Sequence, residues 1–153
     1  MSDISKEILR DYIKDQNFTS TNEILASVND MFRDILQEAL ESELTSQLGY
    51  DKYDVSEKQT LNSRNGHSKK TVKSELGTIV LNIPRDRKGK FKSKILPKYQ
   101  RNITGIEDKI LALYASGMTT RSVAEQIKNL YDVKISAETV SNISNKIIPV
   151  PLP

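Results

Sequence analysis

The sequence contains no cysteine and only one histidine. Disulfide bonds, zinc fingers, zinc knuckles and thiol catalysis are therefore excluded as features of this chain. A glycine-rich phosphate loop and a Ser/His/Asp catalytic set are also missing. Acidic pairs such as Glu107 and Asp108 are more typical of charges at a helix N-terminus than of metal ligands. We therefore expect this chain to bind no cofactor.

Long apolar runs are absent as well. No stretch approaches the roughly 18 apolar residues that a membrane span needs, and the acidic N-terminus has no apolar region of the signal-peptide type. These absences predict a soluble, cytoplasmic protein with no membrane partner. The apolar content of 37% suits packed cores but is low for one large core, so small modules are expected.

Proline is absent before Pro84, which leaves the first third of the chain free to be helical. Apolar residues at helical spacing predict a first helix around Ile8 and Ile13. Residues 20–23 match a capping box that opens a second helix. The apolar stripe of this second helix continues to Gly49, through Ile24, Val28, Met31, Phe32, Ile35, Ala39, Leu40, Leu44 and Leu48.

This apolar stripe has two interpretations of about equal weight. In one, it packs against the first helix of the same chain. In the other, it is too long for one short helix to cover, and it also pairs with a second chain.

The middle of the chain predicts a β-hairpin. Residues 50–70 are polar and are interpreted as a connection, whereas from Thr71 the apolar residues alternate with a period of two. The hairpin is expected to turn near Gly77, and Pro84 is expected to end its second strand. A charged turn follows at residues 85–90.

The last third predicts three short amphipathic helices around a small common core. The first begins near Ile106 and stops at Gly117, the second is capped by Thr119, and the third is capped by Ser136. The spacing resembles a helix-turn-helix, although the linker at residues 131–135 is long for the tightest form of that motif. The alternative is a trihelical bundle whose polar face is only solvated.

Charge is distributed very unevenly along the chain. Residues 1–63 carry a net charge of −7, residues 64–101 a net charge of +10, and residues 102–153 a net charge of zero. Such a concentrated positive segment attracts a polyanion even though the whole chain is nearly balanced. The alternative is a solvated lysine-rich surface that only promotes solubility.

These patterns predict residues that bind duplex DNA. Cations of the positive segment are expected to contact phosphate, although this signal alone does not separate DNA from RNA. His67 is expected to lie in a turn and to touch phosphate or solvent. The third C-terminal helix places polar side chains opposite Val140, Ile143 and Ile147, where Asn can bond adenine and Glu can accept from cytosine. The predicted DNA-binding residues are Arg64, His67, Lys69, Lys70, Lys73, Arg85, Arg87, Lys88, Lys90, Arg121, Glu138, Ser141, Asn142, Asn145 and Lys146.

The predicted fold is mainly α with a small β-hairpin. Residues 1–49 form an N-terminal helical region that is a candidate for dimerisation. Residues 50–101 form a basic linker and β-hairpin, residues 102–148 a helix-turn-helix module, and residues 149–153 a short tail.

Ordered motifs between residues 40 and 148 resemble the Mutator-type transposases of bacterial insertion sequences. The matching motifs are ELT at 43–45, LGY at 48–50, NSRNGHSKKT at 62–71, IPRDRKGKF at 83–91, PKYQR at 97–101 and ISAETVS at 135–141. The resemblance implies a transposase that binds terminal inverted repeats through this region. It also implies a following RNase H-like domain that cuts and joins DNA with an Asp/Asp/Glu site for divalent metal such as magnesium.

The resemblance has one departure. Relatives continue into the catalytic domain, and no position here matches the three catalytic carboxylates, so none is assigned. The chain is interpreted as a truncated transposase that binds DNA and is not an enzyme by itself. Its expected partners are transposon ends and, by self-association or mixed assembly, other transposase chains. The alternatives are a stand-alone regulator that occupies the ends and a dominant-negative inhibitor of the full-length enzyme.

Overall fold

A computed structural model of the chain describes residues 4–53, 58 and 60–147, and the side chain of residue 147 is not described. Within these residues there are five helices and one two-stranded antiparallel sheet. The elements are α1 (Lys6–Gln16), α2 (Thr21–Leu48), β1 (Arg64–Ser74), β2 (Gly77–Asp86), α3 (Ile106–Ala115), α4 (Thr120–Tyr131) and α5 (Ala137–Ile147). The predicted tail at 149–153 lies outside the described residues.

The chain divides into two units at Ile35 and Leu36, within α2. In the first unit, Ser5 caps α1 by accepting a hydrogen bond from the backbone N–H of Ile8 (3.3 Å). The predicted cap of α2 is confirmed, because Ser20 Oγ accepts from the N–H of Glu23 (3.2 Å). The Glu23 carboxylate accepts from the N–H of Thr19 (2.6 Å), which satisfies another donor that precedes the helix.

The apolar stripe of α2 has two different environments. Leu40, Leu44 and Leu48 are buried within the second unit. In the first unit, by contrast, packing between α1 and α2 leaves most of the large aliphatic side chains exposed: Ile8, Leu9, Ile13, Ile24, Leu25, Val28 and Ile35. Packing within one chain therefore buries the C-terminal part of the stripe, covers Met31 and Phe32 in part, and leaves Ile24, Val28 and Ile35 exposed.

The second half of α2 contacts the hairpin through side-chain amides. Gln37 donates to the carbonyl of Asn82 (2.5 Å) and accepts from its N–H (3.0 Å). Gln47 makes the same two contacts with the backbone of Lys92, at 2.6 and 3.2 Å. Each amide thus behaves like a neighbouring strand for one residue, and together they fix the hairpin and the segment after it against α2.

The hairpin turns next to Gly77, as predicted, but its strands are longer than expected. β1 begins at Arg64, so the prediction that residues 64–70 belong to a polar connection is wrong. The first half of β1 is held by polar contacts, such as those of Arg64 and His67 with α2, and not by a hydrophobic core. Its residues therefore need not alternate between apolar and polar. This half of the strand therefore has no periodic signal in the sequence.

The prediction that Pro84 ends the second strand is also wrong, since β2 continues to Asp86 with Pro84 opposite His67. The backbone groups of Asn82 bond Gln37 and so point away from β1. In an antiparallel ladder, residues two apart point the same way. The N–H that proline lacks would therefore have pointed outward, and Pro84 removes no bond of the ladder.

The opposite edge of the hairpin is also occupied. The N–H of Lys73 donates to the carbonyl of Arg101, and the carbonyl of Lys73 accepts from the N–H of Ile103, both at 2.8 Å. A parallel bridge between Lys73 and Asn102 results. Residues 101–103 therefore connect the hairpin to the C-terminal helices.

The three C-terminal helices form where the sequence predicts them. Thr119 Oγ1 accepts from the N–H of Ser122 (3.1 Å), and Ser136 Oγ accepts from the N–H of Thr139 (3.0 Å). The helices enclose one buried apolar cluster made of Ile106, Ile110, Val123, Ile127, Val133, Val140 and Ile143. Val133 lies in the linker between α4 and α5, so part of that linker belongs to the core.

Candidate nucleic-acid interface

A cleft of about 950 Å³ lies between the hairpin and residues 91–101. We call it the basic cleft, because seven cationic residues line it: Lys69, Lys70, Arg85, Arg87, Lys92, Lys98 and Arg101. Asp86 is the only acidic residue among the lining residues, and its side chain is buried. The Glu43 carboxylate also lies beside the cleft, where it accepts from Ser93 and from the N–H of Lys94 (2.7 Å). The lining nevertheless carries a large excess of positive charge.

The basic cleft owes its shape partly to a buried pair, Asn62 and Asp86. Asn62 donates to the Asp86 carboxylate (2.7 Å), which also accepts from the N–H groups of Lys90 (2.7 Å) and Phe91 (3.1 Å). The amide oxygen of Asn62 accepts from the N–H of Lys88 (3.1 Å). The charged turn after β2 is thus fixed by its backbone, which leaves its cationic side chains free to face solvent.

These hydrogen bonds also keep Asp86 ionised. Burial alone would raise the pKa of this carboxyl group. The hydrogen bonds from Asn62 and from the N–H groups of Lys90 and Phe91 oppose burial, and the net result is a pKa below the ordinary value. Asp86 is therefore a negative anchor for the turn and forms no ion pair within the described residues.

Lys70 fixes residues 97–98, which line the side of the basic cleft opposite the hairpin. Its ammonium group donates to the carbonyls of Pro97 (3.1 Å) and Lys98 (2.9 Å). Burial, and then the nearby Arg101 guanidinium, lower the pKa of Lys70 below its ordinary value. Its contacts fix the 97–98 segment to the hairpin and leave less of its charge available to a ligand.

Arg64 and His67, both predicted to bind DNA, contact α2 and its C-terminal extension. Arg64 donates to Thr45 Oγ1 and to the carbonyl of Tyr50, both at 2.9 Å. Its guanidinium lies 5.0 Å from the centre of the Tyr50 ring. His67 Nε2 lies 2.6 Å from a carboxylate oxygen of Glu41. The prediction that His67 is a turn residue is wrong, because it lies within β1 and contacts Glu41.

The other predicted cations of the hairpin differ in accessibility. Lys73 is partly buried beside Asn102. By contrast, the side chains of Lys69, Arg85, Arg87, Lys88 and Lys90 are exposed, with no hydrogen bond or ion pair to another described side chain. Among the predicted cations of the hairpin, these five therefore have the charges most accessible to solvent.

A second polar surface lies on the C-terminal helices. Glu138, Asn142, Asn145 and Lys146 are exposed on α5, Ser141 is half-buried there, and Arg121 is exposed on α4. Lys146 lies 3.8 Å from the Glu107 carboxylate. Val140 and Ile143 are buried on the opposite side of α5, as predicted. None of these polar residues lines the basic cleft, so the predicted binding residues divide between two surfaces.

Sequence reasoning missed several residues of the basic cleft. Lys92, Lys98 and Arg101 belong to the positive segment but were left out of the predicted binding residues, although the charge count included them. Tyr99 was also left out, and it is 86% exposed at the cleft. The anchoring roles of Asn62 and Asp86 have no signal in the sequence, since an Asn and an Asp separated by more than twenty residues carry no periodicity.

In the part of the chain that the structure describes, no three His, Asp or Glu side chains come together as metal ligands. No helix among the described residues is both long and apolar enough to cross a bilayer.

Comparison with known proteins identifies relatives of this chain. It is 41% identical over 126 residues to a transposase for insertion sequence element IS1201 of Lactobacillus helveticus, a match that covers 80% of this chain and 34% of that protein. A transposase for IS905 of Lactococcus lactis is 38% identical over 121 residues, which cover 76% of this chain and 31% of the relative. The chain thus spans about a third of the length of these relatives. The family described as Transposase, Mutator family, matches residues 4–150, and the chain therefore belongs to the Mutator family of transposases.

Proposed function

We propose that this chain is the DNA-binding region of an insertion-sequence transposase and that it recognises the terminal inverted repeats of its element. The observation that carries the proposal is the basic cleft, in which seven cations and one buried, hydrogen-bonded carboxylate line a single surface. A cationic surface that only promotes solubility would require neither a concave shape nor a turn fixed by Asn62 and Asp86. Both features favour a bound polyanion.

The exposed cations of the hairpin supply the sequence-independent part of binding. Each contact between a lysine or arginine and a phosphate releases condensed counterions, so affinity depends steeply on salt. Lys69, Arg85 and Arg87 are exposed and line the cleft. They position the backbone of the duplex without reading its sequence.

The exposed face of α5 supplies the sequence-dependent part. An α-helix fits the major groove, and an Asn side chain there can bond both N6 and N7 of adenine. Asn142 and Asn145 are exposed on this helix, opposite the buried Val140 and Ile143. In the proposed complex α4 braces α5, as in a helix-turn-helix, and Glu138 accepts from cytosine.

The proposal is tested by titrating labelled duplex DNA in fluorescence anisotropy, with an end repeat of the element compared with a scrambled duplex. If about six cations contact phosphate, the slope of log K against log salt is near −5 on both duplexes. The end repeat is expected to bind more tightly than the scrambled duplex. A slope near zero would contradict phosphate binding, and equal affinities would contradict recognition of the repeat.

Strand cutting and joining are proposed for the longer transposase and not for this region. Two-metal strand transfer needs a carboxylate cluster that holds the ions at the attacking and leaving oxygens. We infer that such a cluster, with its magnesium ions, is supplied by sequence outside the matched region. The region described here then delivers the DNA end to that site.

A second candidate role, assembly with other transposase chains, is favoured by a specific observation. Helix α1 and the first half of α2 expose seven large aliphatic side chains. Helical spacing places Ile24, Val28 and Ile35 on one face of α2, and an exposed apolar face is typical of an interaction site. Through it, the chain would form a homo-oligomer or a mixed assembly that regulates or inhibits the longer enzyme.

A further inference from the structure

We propose that the basic cleft binds an unpaired nucleotide of a single DNA strand, with the base stacked on the ring of Tyr99 and the adjoining phosphates held by the surrounding cations. This inference rests on the proposed function, which concerns duplex DNA, and adds a second form of DNA as a ligand. It assigns a role to Tyr99, which the duplex-binding proposal does not use.

Tyr99 is displayed on a firmly held segment. The N–H of Gln100 donates to the carbonyl of Pro97 (3.0 Å) and closes a turn around it. Lys70 holds the carbonyls of Pro97 and Lys98, and Leu96 is buried just before the turn. An aromatic ring on a fixed turn loses little conformational freedom when a ligand stacks on it. The exposed ring is therefore ready to bind a flat, apolar partner.

The surroundings of the ring match a nucleotide. The ammonium group of Lys98 lies 5.5 Å from the centre of the Tyr99 ring, and Arg85, Arg87 and Arg101 also line the cleft. Ile83 and Leu96 add apolar surface to the same cleft. Its volume of about 950 Å³ lies within the range of small-ligand sites. One cleft thus offers a ring for a base and cations for phosphates.

A paired duplex would leave this ring unused. In a duplex the faces of the bases are covered by their stacked neighbours, and only phosphates, sugars and base edges are accessible. Single-strand-binding proteins combine a positive groove with aromatic rings on which unpaired bases stack. The basic cleft has both parts, and it therefore suits a frayed or single-stranded segment of the DNA end as a second ligand, besides the duplex backbone.

Tyr53 provides a matched control within the same chain. It is 89% exposed, and Lys52 lies 5.4 Å from the centre of its ring, much as Lys98 lies near Tyr99. Tyr53 does not line the basic cleft. The two tyrosines thus share exposure and a neighbouring lysine, and they differ in the cationic surface around them.

The first experiment measures anisotropy of a labelled oligothymidine and of a labelled blunt duplex with four proteins: wild type, Tyr99→Ala, Tyr99→Phe and Tyr53→Ala. Loss of one stacked base is expected to weaken binding of the single strand by roughly 5- to 100-fold in Tyr99→Ala. Tyr99→Phe keeps the stacking ring and is expected to bind like wild type. Tyr53→Ala is expected to change neither affinity, and Tyr99→Ala is expected to leave duplex affinity unchanged.

The second experiment uses the absence of tryptophan from the chain. Tyr99→Trp introduces a single indole, whose fluorescence is expected to be quenched when oligothymidine saturates the protein and a base stacks on it. Tyr53→Trp is the control and is expected to keep its fluorescence. Because both side chains are exposed, thermal unfolding of each variant is expected to match wild type, which separates stacking from loss of fold.

The outcomes distinguish this inference from the proposed function. Suppose that duplex DNA binds with the expected salt dependence. The inference alone would then be overturned by an unquenched indole at position 99, or by equal effects of Tyr99→Ala and Tyr53→Ala on single-strand binding. Equal weakening of duplex and single-strand binding by Tyr99→Ala would also overturn it, since the ring would then contact the backbone. Absence of binding to either DNA would overturn both proposals.

Discussion

At the scale of single residues, the buried carboxylate of Asp86 lies within the most cationic part of the chain but forms no ion pair with a described lysine or arginine. Asp86 is 6% exposed, and its oxygens accept hydrogen bonds from Asn62 and from two backbone N–H groups. Hydrogen bonds to a charged group are stronger than those between neutral groups. The carboxylate therefore fixes the turn, while the cations of the turn point to solvent.

Replacing Asp86 by Asn is expected to lower the free energy of unfolding by about 1–3 kcal/mol near neutral pH, because charge-assisted bonds are lost at a buried site. The pKa of Asp86 is lowered in the folded protein, so its stabilisation is present above the unfolded pKa of about 4 and is lost as pH falls through the folded pKa. Urea titrations of both proteins across this range check the prediction. Asp51→Asn, at an exposed carboxylate, is the control, and equal effects of the two changes would contradict the anchoring role.

Lys69 and Lys70 are neighbours on β1 with different expected effects. Lys69 is exposed, whereas Lys70 bonds two carbonyls. Lys69→Met is expected to reduce the salt slope of duplex binding by about 1 without changing stability. Lys70→Met is expected to lower stability by about 1 kcal/mol, because its two hydrogen bonds to the carbonyls of Pro97 and Lys98 are lost. Salt-dependent anisotropy and urea unfolding of both variants check this, and identical profiles would contradict it.

The location of positive charge could be predicted from the sequence, but the group that each cationic side chain contacts could not. The charge count finds the segment that lines the basic cleft. It does not show that Arg64 bonds Thr45 or that Lys70 bonds the 97–98 carbonyls. These partners lie far away in sequence, and a lysine or arginine carries no local signal of whether it faces a ligand or a carbonyl.

At the scale of elements, local signals predicted the C-terminal helices well. Their caps and apolar spacing lie within a few residues of the elements they define, as at Thr119 and Ser136. The first half of β1 could not be predicted in the same way. It is held by contacts such as that of His67 with Glu41, and such long-range polar contacts leave no period in the sequence.

Helix α5 is expected to determine sequence preference. Asn142→Ala and Asn145→Ala are each expected to cost about 1–3 kcal/mol on the cognate end repeat and little on scrambled DNA, because a bidentate contact to one base is lost. Anisotropy titrations at one fixed salt concentration measure both affinities. Asn129→Ala, at an exposed position on α4, is the control. Equal losses on both DNAs would show that these residues only position the backbone.

At the scale of the whole molecule, the exposed apolar side chains of α1 and α2 are expected to associate with a second copy of the chain. Ile8 and Ile35 are both 62% exposed. The double change of Ile8→Lys and Ile35→Lys is expected to raise the dissociation constant at least roughly tenfold, because burial of each side chain contributes about 1.5–3 kcal/mol. Sedimentation equilibrium checks this, with Leu130→Lys, at an exposed apolar site on α4, as control. A wild-type protein that stays monomeric at all concentrations would contradict the prediction.

This chain by itself is expected not to cut or join DNA. Two-metal strand transfer requires clustered carboxylates. Asp86 lines the basic cleft as an anchor, the Glu43 carboxylate contacts Ser93 and Lys94 beside it, and Glu75 lies at the hairpin tip. The measurement is incubation of purified protein with labelled end repeats and Mg²⁺ or Mn²⁺, with the transposase of Lactobacillus helveticus as positive control. Metal-dependent nicking that persists through purification and disappears in Glu75→Gln would require a different active site.

The two edges of the hairpin have a consequence for the solubility of the protein. An unpaired strand edge is a template on which a strand from another molecule can add, which leads to aggregation. Gln37 occupies the outward N–H and carbonyl of Asn82, and Pro84 has no outward N–H to offer. On the other edge, residues 101 and 103 occupy the backbone of Lys73. A long two-stranded ribbon can therefore expose its cationic side chains to solvent while these outward backbone groups are protected against intermolecular sheet formation.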